Sequence, residues 1–303
     1  MKYTRLFDGI SVPQLTPFHE DGTVNYREYA RLTQWLLGQG VKGIFVCGTT
    51  GEFVNMTLSE RKGLLEAAVE GAGGQGSILY NTTALNLTDA KALAEHAKKC
   101  GADAVSITPP FYHNYDSAAL TNYFITLAQM ADPLPVYLYN IPGMAKNVIT
   151  PEIVRGVCEK CENVRGLKDS SMDFMTFLQF QTVLPDPEFE LLTGNDAQVL
   201  TALQAGGRGA VIAMANVFPA MCVSIVDHFN AGELEKAREA QLKVMRLRDL
   251  ERSIMPIISH KEMMKLNGFE MGPSRFPFRG LTEKEVQTIH EQVAEITGIS
   301  FNV

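Results

Sequence analysis

The chain has no excess of positive charge. Its 27 Lys and Arg stand against 34 Asp and Glu, for a net charge of -7, which excludes nucleic acid or an anionic membrane as the main partner. No stretch reaches the ~20 apolar residues of a membrane span. The segment after Met1 shows no apolar signal core, so a cytoplasmic location is expected. The five cysteines (Cys47, Cys100, Cys158, Cys161, Cys222) are too few and odd in number for a disulfide framework, which fits a reducing compartment. Cys158-Glu159-Lys160-Cys161 falls near the end of a predicted helix, not at the start of one as a redox motif would, and has no second pair to complete a zinc site. The six histidines show no ligand spacing, so no metal is expected. Ser170 and Ser171 lack the G-x-S-x-G elbow of a serine hydrolase. The glycine-rich run Gly71–Gly76 precedes a strand instead of opening a helix, so it reads as a turn and not as a phosphate loop.

What is present is regular alternation. Short apolar runs occur at Ile10–Leu15, Gly43–Cys47, Ser77–Tyr80, Ala104–Ile107, Val136–Tyr139, Val164–Leu167, Glu190–Leu192 and Ala210–Ala213. Continuous apolar runs indicate strands buried on both faces, hence a parallel sheet. Helical spacing fills the gaps, with start signals at Thr57-Leu58-Ser59-Glu60 (a capping box), Asn86 and Thr150-Pro151. Eight strands with intervening helices predict a (β/α)8 TIM barrel over residues 1–230. Phe218–Phe229, Glu233–Arg252, Ile254–Asn267 and Thr282–Ile296 read as helices without strands between them. Residues 231–303 are thus expected to form a C-terminal α-helical extension packed on the barrel.

Active sites of such barrels sit at the C-terminal strand ends. There the chain places Thr16-Pro17-Phe18, Gly48-Thr49-Thr50-Gly51-Glu52, Thr108-Pro109-Pro110-Phe111-Tyr112, Tyr139-Asn140, Lys168-Asp169-Ser170 and Thr193-Gly194-Asn195-Asp196. An amine flanked by apolar residues loses hydration, which favours the neutral form that attacks a ketone. A Gly-Thr-Thr-Gly turn presents N–H groups and hydroxyls suited to a carboxylate. A phenol can carry a proton if hydroxyls link it to solvent. Singly, each has an ordinary account: a surface lysine, turn glycines, packed tyrosines. Together, at the strand ends of one barrel, they point to iminium chemistry.

These motifs, with Gly206-Gly207-Arg208-Gly209 before Asn216, resemble the dihydrodipicolinate synthase and N-acetylneuraminate lyase family of class I, pyruvate-dependent aldolases, over essentially the whole chain. The resemblance implies Lys168 as Schiff-base lysine, Thr49 and Thr50 as carboxylate clamp, and Tyr139 as proton carrier. Tyr112 resembles a relay tyrosine that reaches in from a neighbouring subunit, with Thr50 between the phenols. Gly194, Asp196 and Val211 would line the substrate. It further implies no cofactor beyond the covalent lysine–pyruvate iminium, a small-molecule 2-oxo acid as substrate, and a homo-oligomer, a tetramer built as a dimer of dimers.

Departures from the pattern bear on substrate. Dihydrodipicolinate synthases carry an arginine two residues after Tyr-Asn-x-Pro, for the second substrate's carboxylate. Here that position is Met144, with Lys146 two further on, and neither supplies a bidentate fork. The Thr193–Asp196 loop resembles one that holds a polyol, with Asp196 as hydroxyl acceptor, although an aspartate there can equally cap the following helix. Ala213 and Met214 make the distal pocket more apolar than a polyol needs. Gln14 replaces a small residue, and either contacts the lysine region or fills space. The expected activity is cleavage of a 2-keto-3-deoxy sugar acid, or a related 2-oxo acid, to pyruvate and an aldehyde. The alternatives are 4-hydroxy-tetrahydrodipicolinate synthesis from pyruvate and aspartate semialdehyde, a dehydratase or deaminase using the same iminium, and a barrel that binds pyruvate without turnover.

Overall fold

A computed structural model describes residues 5–301. Eight parallel strands close on themselves in chain order: β1 (Gly9–Pro13), β2 (Gly43–Val46), β3 (Ser77–Asn81), β4 (Ala104–Ile107), β5 (Val136–Asn140), β6 (Val164–Asp169), β7 (Glu190–Thr193) and β8 (Gly209–Val211), the last pairing with β1. The (β/α)8 barrel expected from the alternation is present. Strand limits differ from the apolar runs because backbone pairing ignores side-chain polarity. The ladder runs on through Lys168 and Asp169, so Lys168 lies within β6 and not beyond it. At the other ends, Gln14 and Leu15 fall outside β1 and Ala213 belongs to a 3-10 turn, Ala213–Asn216.

The expected caps are in place. Thr57 and Glu60 form the capping box of the helix Leu58–Ala72, Asn86 caps Leu87–Cys100, and Thr150 precedes Pro151 at the head of Pro151–Cys158. Past the barrel come the helices Leu234–Ile254, Pro256–Met263 and Glu283–Thr297. The helix read as Ile254–Asn267 is in fact two pieces. Met255 is extended (φ -162°), Pro256 begins the next helix, and Met264–Asn267 tightens into a 3-10 turn. A proline at the first helical position lacks the N–H that would have continued the preceding helix.

A small cluster inside the barrel gathers Phe7, Phe45, Leu79, Ala104, Tyr137, Tyr139, Leu192 and Val211. At its floor sits Glu190, a buried carboxylate that the apolar-run reading passed over. It accepts the Tyr137 hydroxyl, Phe7 N–H at 2.7 Å and Leu6 N–H at 3.1 Å. Burial raises the pKa of Glu190, and burial beside Glu190 raises that of Tyr137. Gly166 makes room for this arrangement, since a Cβ there would lie 2.2 Å from the Tyr137 ring. Removing the acceptor strands three donors, so Glu190→Ala should cost about 3 kcal/mol. Thermal unfolding would register this as a fall in Tm of about 5 °C. An unchanged Tm would mean the floor contributes nothing.

Candidate active site

The site is built at the junction of β5 and β6. Tyr139 and Lys168 are register partners, so both side chains project from the same face of adjacent strands. Both are 4% exposed. Lys168 Nζ lies 4.1 Å from the Tyr139 ring centroid and 5.1 Å from that of Phe45 on β2. Among the described residues the amine has neither a carboxylate partner nor a hydrogen-bond acceptor; two aromatic rings are its surroundings. Neither ring anchors the nitrogen as a carboxylate partner would. Such an amine is available for attack.

The strand pair is fixed at its upper end. Asp169 accepts Asn140 Nδ2 at 2.8 Å and Ser171 Oγ at 2.9 Å, and Asn140 Oδ1 accepts Ile149 N–H at 3.0 Å. Burial raises the pKa of Asp169, while these donors pull it down. Gly194, following β7, gives Lys168 its space. A Cβ there would stand 1.8 Å from Ser170 Oγ and 2.8 Å from Lys168 Cε. Its N–H donates to Asp169 O at 2.7 Å, which holds it against β6. Val211 on β8 belongs to the same interior cluster as Tyr139 and Phe45.

Thr49 and Thr50, half-buried, sit in the turn that follows β2 and Phe45. Within the turn Gly51 N–H donates to Gly48 O and Glu52 N–H to Thr49 O, both at 3.1 Å. Thr16 Oγ1 donates to Gly51 O at 2.8 Å. Among the described residues, the N–H groups of Thr49 and Thr50 are left without an acceptor. Consecutive free N–H groups form an anion-binding concavity.

Tyr112 is not part of this cluster within one chain. It stands on the rim, 76% exposed, with φ +96°, a region that a bulky residue rarely occupies. Met144 is 70% exposed on the short helix Pro142–Ala145, and Lys146 is exposed beyond it. Asp196 is no helix cap; Asn195 does that, accepting Ala197 N–H at 3.2 Å. Asp196 Oδ1 instead accepts Met214 N–H at 2.8 Å, and its carbonyl accepts Gln241 Nε2 at 2.7 Å. Its second carboxylate oxygen has no partner among the described residues. Met214 is fully buried and Ala213 half-buried. Gln14 serves the helix Tyr26–Gly38 and not the amine: Nε2 donates to Tyr29 O and Oε1 accepts Thr33 Oγ1, both at 2.8 Å. The ring of Phe45 and the steric need for Gly194 escaped the sequence reading. An inward position on β2 is visible only once the register is known.

A closed (β/α)8 barrel with an unpaired amine near two aromatic rings is an arrangement suited to a lyase of the class I aldolase type, and the chain's relatives place it in that class. The chain belongs to the dihydrodipicolinate synthetase family, whose model matches residues 6–296. A 4-hydroxy-tetrahydrodipicolinate synthase of Thermoanaerobacter pseudethanolicus is 30% identical over 285 residues, 93% of this chain and 94% of that one. A prophage protein of the dihydrodipicolinic acid synthase family from E. coli K12, solved in complex with pyruvate, superposes with a TM-score of 0.92 at 27% identity, covering 96% of this chain and 99% of that one. The N-acetylneuraminate lyase of Proteus mirabilis gives 0.89 at 25% identity, covering 96% and 98%.

Proposed function

We propose that this lyase forms a Schiff base between Lys168 and a 2-oxo acid and reversibly cleaves a 2-keto-3-deoxy sugar acid, or a related 4-hydroxy-2-oxo acid, to pyruvate and an aldehyde. The observation that carries this reading is the buried, unpaired Lys168 amine 4.1 Å from the Tyr139 ring. In the cleavage direction the neutral amine attacks the C2 ketone and water leaves, giving an iminium. The N–H groups and hydroxyls of Thr49 and Thr50 hold the carboxylate. Tyr139 takes the C4 hydroxyl proton, its own having been relayed through the Thr50 hydroxyl and Tyr112 of a second copy to solvent. The C3–C4 bond then breaks: the aldehyde leaves, and the electron pair is held as an enamine. Protonation at C3 and hydrolysis of the iminium release pyruvate. The lysine–pyruvate adduct is the only prosthetic chemistry this sequence of steps calls on.

Met144 and Lys146, both exposed, offer no bidentate site for an aldehyde that bears a carboxylate, which supports the sugar-acid assignment over dihydrodipicolinate synthesis. The free oxygen of Asp196 is available to a substrate hydroxyl. Gly194 and Val211 complete the lining. Tyr112, exposed and held in a left-handed conformation, supports insertion into a neighbouring subunit, hence a homo-oligomer, a tetramer as dimer of dimers. Five free thiols support a reducing compartment, the cytoplasm.

Borohydride reduction with pyruvate, followed by peptide mass analysis, is expected to find the adduct on Lys168. No adduct there would end the proposal. A panel run in parallel separates the reactions. Pyruvate release from sugar acids is expected, whereas efficient consumption of aspartate semialdehyde would restore the synthase. Loss of water or ammonia without C–C cleavage would indicate a dehydratase or deaminase.

A further inference from the structure

Glu52 closes the threonine turn, yet it faces away from the amine. It is 1% exposed and holds a left-handed backbone (φ +61°), a conformation that costs energy for any residue with a Cβ. Such a residue persists only where its surroundings over-determine it. Both constraints come from the C-terminal segment. Lys261, on the helix Pro256–Met263 and 6% exposed, brings Nζ to 2.9 Å from Glu52 Oε1. Arg275 N–H donates to Glu52 Oε2 at 3.1 Å.

Arg275 also reaches the segments on either side of the turn. The Arg275 guanidinium donates to Asn55 O and to Glu60, both at 2.9 Å, and to Gly22 O at 2.8 Å. Lys261 also donates to Pro273 O at 3.3 Å. Phe18, in the motif after β1, lies beneath both cations, 4.5 Å from Lys261 Nζ and 4.7 Å from Arg275 Cζ. Burial lowers the pKa of Lys261, an effect that the Glu52 carboxylate opposes. A buried cation with one carboxylate partner cannot easily let it go.

We infer that Glu52, Lys261 and Arg275 are positioning residues: the C-terminal helical segment sets, through Glu52, the aim of the Thr49 and Thr50 N–H groups, and so sets affinity for the carboxylate of the 2-oxo acid. The inference rests on the reading of Thr49 and Thr50 as a carboxylate clamp. Thr49 O, in the same peptide plane as Thr50 N–H, is tied to Glu52 N–H, and Gly48 O, in the plane of Thr49 N–H, is tied to the neighbouring Gly51 N–H. A rotation at Glu52 thus reaches the first donor directly and the second through Gly51. None of the three residues is placed to touch the reacting atoms. Their loss should therefore change binding more than chemistry.

The test is borohydride trapping titrated with pyruvate on the full-length protein, with Tm measured for each variant. In Glu52→Gln, which keeps an acceptor for Arg275 N–H but loses the charge, half-saturation is expected at a pyruvate concentration about 10-fold higher. The rate of trapping at saturation should stay within about twofold. Lys261→Met should behave likewise, and Lys261→Arg should recover part of the affinity. The double variant should be no worse than the poorer single, as expected of a coupled pair. A folded Glu52→Gln protein with unchanged half-saturation overturns the inference, as does a fall in Tm or trapping rate with half-saturation unmoved. If Lys261→Met does not fold, Glu52→Gln alone decides. Failure of wild-type protein to trap pyruvate would count instead against the Schiff-base reading.

Discussion

Lys168→Ala is expected to lower turnover by about 10,000-fold or more, because no other group near Tyr139 can supply the attacking nitrogen. The loss should be in kcat and in covalent adduct together, while the fold is kept. Lys168 ends in the barrel mouth with no ion pair among the described residues, so alanine leaves no stranded partner. Lys168→Arg should be equally inactive even though it preserves charge, since a guanidinium stays protonated and cannot attack a ketone. Aldehyde release and intact-protein mass after borohydride measure both variants. Turnover above about one per cent of wild type in either would show that the nucleophile lies elsewhere.

Gly194→Ala should produce the second largest effect without removing any functional group. The new methyl would sit 1.8 Å from Ser170 Oγ and 2.8 Å from Lys168 Cε, so at least one must move. A serine hydroxyl can rotate away, but the lysine stem lies along the path of attack. A displacement of about 1 Å in a reacting nitrogen costs on the order of 100-fold in kcat. Combining Gly194→Ala with Ser170→Ala should recover only part of the loss, because the contact with Lys168 Cε remains. A single variant with wild-type kcat would show that the amine does not need this space.

The barrel was legible because strands buried on both faces are written as uninterrupted apolar runs between capped helices. Their limits were less so. Hydrogen-bond ladders extend through Lys168 and Asp169 with no regard to polarity, and Gln14 and Ala213, both inside apolar runs, lie outside any strand. Pairings across the barrel were not legible at all. Glu190 meets Tyr137, 53 positions earlier, and Lys261 meets Glu52 from the far end of the chain. Asp196 illustrates a closer miss. Its neighbour Asn195 takes the cap, and Asp196 turns to Met214 N–H, a choice set by where β8 ends. The proposed chemistry rests on residue types at strand ends, which a sequence displays. How those residues are held rests on distances, which it does not.

The carboxylate at the barrel floor has a consequence for traffic. Glu190, Tyr137 and Phe7 fill the lower end of the barrel, which leaves the upper end as the way to and from Lys168. Whatever reaches the amine first is boxed in by whatever arrives second, and must leave after it. On the proposed reading, cleavage would release the aldehyde first and the 2-oxo acid after it, and condensation would admit the 2-oxo acid first. The order that a covalent adduct on Lys168 imposes is one that the closed floor of the barrel also enforces.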